Sequence, residues 1–292
     1  MNPIAFQVGG LTVYWYGILI VTGVLVGAYV ATIQARRRQQ NPEHVWDALL
    51  VCLVLGIIGA RIYHVFSTSQ GGAVGWPYYR DHPQVILKIW EGGLGLVGAI
   101  MGGALGMVVY ARFARLPVLT WLDIGAYGLL LAQVIGRWGN YINQELYGPP
   151  TDLPWGIRID TAYRMAPFND MVAFPPDTRF HPLFLYESLW CLIGFALLWW
   201  LGVRLRDWLL EGDIFFLYLL WYPLGRFAIE FLRLDAWMAG PVAVAQIFSA
   251  CAMVLAVTAM VYRHRRHRVE HDQDVEPHES TSPPVTETQE TA

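Results

Sequence analysis

Seven stretches of this chain are apolar over roughly the 20 residues that a helix needs to cross the hydrocarbon core of a bilayer. They run at about 11–33, 46–66, 92–111, 118–138, 182–202, 214–231 and 241–262. Composition agrees: of 292 residues, 55% are hydrophobic and 15% charged, where an ordinary soluble domain carries about 25% charge. Mean hydropathy is +0.37, which does not suit a soluble globular enzyme. With 20 Lys and Arg against 23 Asp and Glu, no surplus of positive charge exists to neutralise nucleic-acid phosphates. The expected fold is an all-α polytopic membrane protein with folded outer loops.

Seven spans put the two ends on opposite sides, and basic residues accumulate on the inner one. With the N-terminus outside, eleven arginines fall on inner segments, among them Arg36, Arg37, Arg38, Arg204, Arg206, Arg263 and Arg265. Six basic residues fall on outer segments, and Arg61, Arg137 and Arg226 lie in or at the edge of spans. N-outside, C-inside is therefore the expected orientation. Residues 1–268 form the transmembrane domain. Residues 269–292 hold seven acids and no Lys or Arg, too little apolar surface to fold, and are expected to be a disordered inner tail. No basic residue precedes the first apolar run, so no cleavable signal is expected. Cys52, Cys191 and Cys251 all sit in apolar stretches without CxxC or Cys/His pairing, so neither a disulfide framework nor a metal site is implied.

Ionisable groups inside a bilayer are costly and usually line a functional cavity. Three clusters carry them. GRWGNYINQELYG (136–148) combines Arg137, Asn140, Asn143 and Glu145 between glycines. YPLGRFAIEFLRLD (222–235) places Arg226, Glu230 and Arg233 at i, i+4 and i+7 on one helix face. HPLFLYE (181–187) opens a span with His181 and Pro182, and puts Glu187 where it needs a partner, most simply an arginine. Arg61 in GARIYH and a glycine-rich run at 92–103 complete the inventory. Arginine binds phosphate through two parallel hydrogen bonds and stays charged. These residues point to an anionic ligand at headgroup depth, a phospholipid first.

The motifs resemble those of the bacterial prolipoprotein diacylglyceryl transferase family. GRWGNYINQELYG is similar to its signature G-R-x-G-N-[FY]-x-N-x-E-x-x-G at every fixed position, through Gly136, Arg137, Gly139, Asn140, Tyr141, Asn143, Glu145 and Gly148. HPLFLYE resembles the family's H-P-x-x-L-Y-E. Tyr222, Arg226, Phe227, Glu230 and Arg233 match its Y-x-x-x-R-F-x-x-E-x-x-R, Tyr16 its W-Y-G and Arg61 its G-x-R. The likeness runs in family order from Tyr14 to Arg233.

The resemblance implies a multi-pass protein of the bacterial plasma membrane that needs no cofactor or metal. It would transfer the diacylglyceryl group of phosphatidylglycerol to the lipobox cysteine of a prolipoprotein, forming a thioether and releasing glycerol-1-phosphate. Arg137, Arg226, Glu145 and Glu230 are then the expected catalytic residues. The lipid would be bound by Arg137, Asn140, Asn143, Gly148, Tyr16, Tyr222, Arg226 and Arg233, with Arg61, His181 and Glu187 in support. Glu145 and Glu230 are expected to orient the arginines, or one of them to take the thiol proton. In one place the chain departs from the pattern: the family's W-[ED]-G-G-x-[SG]-x-H-G reads here with Val97 in the histidine's place. A silent paralogue that binds lipid or precursor, and a lipid or anion transporter, are the alternatives.

Overall fold

A computed structural model describes residues 2–9, 11–67 and 75–275. The chain opens not on a helix but on a hairpin, β1 (Ile4–Val8) against β2 (Leu11–Tyr14), joined through Gly9 in the left-handed region. The first apolar run was expected to be helical from about residue 11. Its opening residues, LTVY, include the β-branched Thr12 and Val13 and the aromatic Tyr14 and pair as a strand instead, and helix α1 (Trp15–Arg37) begins only after them.

Helix α2 (Glu43–Phe66) follows, then the short α3 (Trp76–Asp81), α4 (Leu96–Phe113) and α5 (Val118–Ile142). A cap segment carries β3 (Ile157–Arg158) paired antiparallel with β4 (Arg179–Phe180). Helices α6 (Leu183–Arg204) and α7 (Asp213–Glu230) come next, then a small hairpin of β5 (Met238–Ala239) and β6 (Val242–Ala243), and finally α8 (Val244–Val275). Six of these helices, α1, α2, α4, α5, α6 and α8, are long and apolar enough to cross a membrane. Their outward faces carry exposed Leu, Ile, Val and Phe throughout, as lipid contact requires. Helix α7 forms where the sixth span was expected, but its 18 residues include Asp213, Arg226 and Glu230. It therefore falls outside the apolar set. Helix α8 runs on to Val275, past the expected boundary at 268. The rest of the acidic tail, 276–292, and residues 68–74 of the first long loop lie outside the described residues.

Backbone contact, rather than side-chain bulk, joins the helices. Gly23 and Gly27 of α1 lie against Ala132 and Gly128 of α5, and Gly59 of α2 against Gly98 and Gly102 of α4. Both pairs run antiparallel. In lipid there is no hydrophobic drive between helices, so small residues that admit close approach hold them together. Between α6 and α7 the device is different. Trp190 and Trp221 stack at 4.3 Å, and each indole N–H donates to the other's backbone carbonyl at 2.9 Å. No donor is left over on either ring.

The end of the bundle opposite the signature loop is tied by acids. Asp123 of α5, 1% exposed, accepts from the backbone N–H of Gly212 and of Phe215 and from Arg38 Nη1, all at 2.9 Å. It thus caps α7 from another helix, satisfying donors that a helix start leaves orphaned. Asp213 accepts from the Leu210 N–H at 2.8 Å and meets His264 Nε2 of α8 at 2.6 Å. Asp123→Ala should cost about 3–5 kcal/mol, because it leaves a guanidinium unpaired. A fall in Tm in detergent, partly recovered in Asp123→Asn, is the expected reading.

Candidate active site

The signature residues Gly136–Ile142 form the last turns of α5, and the chain then leaves the helix through two strained residues. Gln144 and Leu146 both take the left-handed conformation, at φ 56° and 55°, which costs a non-glycine residue about 1–2 kcal/mol. Surrounding bonds hold the turn in place. Gln144 donates to Asp160 Oδ2 at 2.7 Å and accepts the Asp160 N–H at 2.6 Å, clasping the loop to the cap. The Gly148 N–H donates to the His181 carbonyl at 2.9 Å. A Cβ on Gly148 would stand 3.0 Å from both His181 Cβ and the Leu232 carbonyl oxygen. Gly148 is thus packed closely between His181 and Leu232.

Three helices converge beside this loop, and their charges form one alternating chain. Glu187 of α6 is the hub: its Oε2 pairs with Arg137 Nη2 of α5, and its Oε1 accepts from Arg226 Nη1 of α7 at 3.1 Å. Arg226 Nη2 reaches Glu230 at 2.5 Å, and Arg233 Nε lies 4.0 Å from the same oxygen. Arg233 then grips Asp235 through two bonds, of 2.8 and 2.6 Å. Burial alone would push the Asp235 carboxyl up, but the Arg233 grip overrides it and holds it below the usual carboxylate range. Tyr222 accepts from Arg137 Nη2 at 3.3 Å and stacks on Tyr218.

The acids stand behind and the guanidinium groups in front. Glu187 is 4% exposed and Glu230 2%, while Arg137 keeps 21% of its side chain accessible and Arg226 15%. Arg137 spends only Nη2 on these partners, so its Nε and Nη1 remain unspent among the described residues. Fixed, accessible donors backed by buried acids suit an incoming oxyanion.

Glu145 stands apart from this chain. It was expected to orient an arginine, but its Oε1 accepts from Asn140 at 2.7 Å and from Asn143 at 3.4 Å. The amides therefore serve the carboxylate. Tyr16 packs on Gly139, close enough to Glu145 and Arg137 to feel both charges. Beside it an open cavity of about 460 Å³ is lined by Thr12, Tyr14, Tyr16 and Asn143, leading in from the N-terminal hairpin.

The remaining residues act at a remove. His181 precedes α6, with Pro182 at its N-cap rather than inside the first turn. Its Nδ1 lies 3.0 Å from the Tyr186 hydroxyl, which also accepts from Trp155. Arg61 makes no contact with the charge chain; it binds the carbonyls of Val85, Ile86, Gly92 and Gly93 and lies over the Tyr79 ring. It templates the loop that leads into α4. Val97 is the second residue of α4 and 39% exposed. Reading the sequence placed Glu187 only in support and missed the Gln144–Asp160 clasp. Gln144 occupies a variable position of the signature, and nothing local marks Asp160 as its partner.

Fold and site together define a multi-pass membrane protein with an interior arginine–carboxylate centre at one end of its bundle. Comparison with known proteins narrows this. The prolipoprotein diacylglyceryl transferase family model matches residues 3–262. The chain is 45% identical over 280 residues to the phosphatidylglycerol–prolipoprotein diacylglyceryl transferase of Chloroflexus aggregans, covering 90% of each chain. It is 41% identical to the enzyme of that name from a Nostoc species, covering 91% of each. With the one from Streptococcus equi subsp. zooepidemicus it shares 37% identity, over 94% of this chain and all of the other. The chain belongs to the prolipoprotein diacylglyceryl transferase family.

Proposed function

We infer that this protein moves the diacylglyceryl group of phosphatidylglycerol onto the lipobox cysteine of a prolipoprotein. The unspent guanidinium donors of Arg137, held against buried Glu187, are the observation that carries the reading. The cysteine sulfur attacks the glyceryl carbon that bears the phosphate. The C–S bond forms, the C–O bond to phosphate breaks, and glycerol-1-phosphate leaves with that electron pair. Charge on the phosphate rises as the bond breaks, so donors aimed there stabilise the transition state more than the bound lipid. Arg137 and Arg226 supply them. Tyr16 and Tyr222 border the lipid's glycerol, and Arg233 keeps Glu230 from claiming Arg226 alone.

A free thiol is only a few per cent ionised at neutral pH, so its proton needs somewhere to go. Glu230 is engaged by Arg226 at 2.5 Å, whereas Glu145 is held by neutral amides. Glu145 is therefore the carboxylate assigned to receive it, with the arginine field lowering the thiol's cost of ionisation. This dispenses with the histidine that Val97 replaces. In the same reading α7 also crosses the membrane, as the sixth of seven spans, its charges facing the bundle interior. The signature end faces outward, and the arginines at the other end lie on the cytoplasmic side of the plasma membrane.

An intact-mass assay with a lipobox peptide in phosphatidylglycerol micelles tests the reading. A diacylglyceryl mass shift is expected from the native protein and none from Arg137→Ala. No shift in the native protein, with activity gained in Val97→His, would identify a silent paralogue. No shift in either would move the reading to lipid binding or transport.

A further inference from the structure

The cap carries a second basic feature that the charge chain does not use. Strands β3 and β4 pair Arg158 directly opposite Arg179, and both side chains are exposed. Like charges placed opposite each other on a ladder repel and destabilise the pair. Neither arginine meets a carboxylate among the described residues; Arg179 makes one bond, to the Pro154 carbonyl at 3.3 Å, and Arg158 makes none. They border an open cavity of about 470 Å³ whose other walls include Tyr141, Gln144 and Asp160. This cavity is separate from the one beside Tyr16 and shares none of its residues.

We propose that this cavity binds the phosphate of a hydroxyl-bearing phosphate ester, with Arg158 and Arg179 as a two-armed clamp. A phosphate between them would remove the repulsion and accept paired N–H bonds. Beside their mutual bonds, the oxygens of Asp160 and Gln144 keep further lone pairs that can accept from the ester's free hydroxyls, which distinguishes a glycerol phosphate from a bare anion. Asp160 is negative, but it is already turned to the Gln144 amide at 2.7 Å. The cavity also adjoins the signature loop, because Tyr141 in the last turn of α5 and Gln144 in that loop both line its wall. The ligand chemistry rests on the transferase reading, since two sources supply a glycerol phosphate there: the released product, or the headgroup of a waiting phosphatidylglycerol.

Phenylglyoxal, which modifies accessible arginines, reads the site directly in the full chain. Peptide mass spectrometry would follow Arg158 and Arg179, with exposed Arg206 at the far end as reference. Glycerol-1-phosphate is expected to slow modification of both cap arginines at least about fivefold and to leave Arg206 unchanged. Protection by phosphatidylglycerol nanodiscs but not phosphatidylcholine nanodiscs would assign the headgroup as the source; protection by the soluble ester alone would assign the product. Calorimetry on the Arg158→Gln/Arg179→Gln variant should show that binding component weakened tenfold or more. Equal modification rates under every condition, or an unchanged calorimetric isotherm, would overturn the site. Neither readout needs turnover, so an inactive protein with protected arginines would sink the transferase and leave the clamp standing.

Discussion

Glu187→Ala is expected to slow thioether formation at least about a hundredfold, more than loss of either amide around Glu145. Among the described residues Glu187 is the one carboxylate that contacts both Arg137 and Arg226. Without it two guanidinium groups face each other inside the protein with nothing between them. Removing one partner of a buried ion pair costs about 3–5 kcal/mol, and each misaimed oxyanion donor costs about 10²–10³ in rate. The measurement is the mass-shift rate at saturating phosphatidylglycerol, beside a thermal melt. Glu187→Gln keeps the shape and should retain more stability than rate. A rate within threefold of the native protein in Glu187→Ala would mean that the arginines are aimed by something else.

Gly98→Leu should abolish the folded protein, and Gly98→Ala should destabilise it by about 1–3 kcal/mol, the range for overpacking a tight interface. A Cβ at Gly98 would overlap the Gly59 carbonyl oxygen, a backbone atom with no freedom to retreat. Helices α2 and α4 would have to part, carrying with them the loop that Arg61 organises. Gly125→Ala is the matched control: among the described residues nothing beyond its own helix backbone and chain neighbours lies within 4 Å of its Cβ position, and alanine favours a helix over glycine by about 1 kcal/mol. Yield of monodisperse protein and Tm in detergent separate the two. Equal behaviour of the two alanine variants would refute close packing as the reason for Gly98.

What the sequence made legible was whatever depends on neighbours along the chain. Apolar runs located the helices, and the i, i+4 spacing anticipated the Arg226–Glu230 contact. The start of the first span was misplaced because LTVY is as apolar as a helix and only its hairpin partner reveals the strand. Helix α8 runs on past residue 268: an acidic composition speaks against a core, which an extended helix end does not need. Site pairings divided in the same way. Residues 137, 187 and 226 meet through the packing of α5, α6 and α7, which no spacing encodes. Glu145, by contrast, found its partners within the signature itself, in two amides rather than an arginine.

The order of the charge chain also bears on how such a protein is made. Helices enter the membrane roughly as they are synthesised, N-terminal first, and each unpaired charge left there costs a few kcal/mol. Arg137 arrives on α5 and has to wait only for the next long helix, α6, which delivers Glu187 to it. When α7 follows, Arg226 arrives with its own Glu230 one turn away and docks on an acid already in place. The centre is thus assembled in matched increments, and the arginine pair is complete only when the last of the three helices is home. A nascent chain cut short after α6 would hold a neutral Arg137–Glu187 pair and no second arginine, inserted but inert.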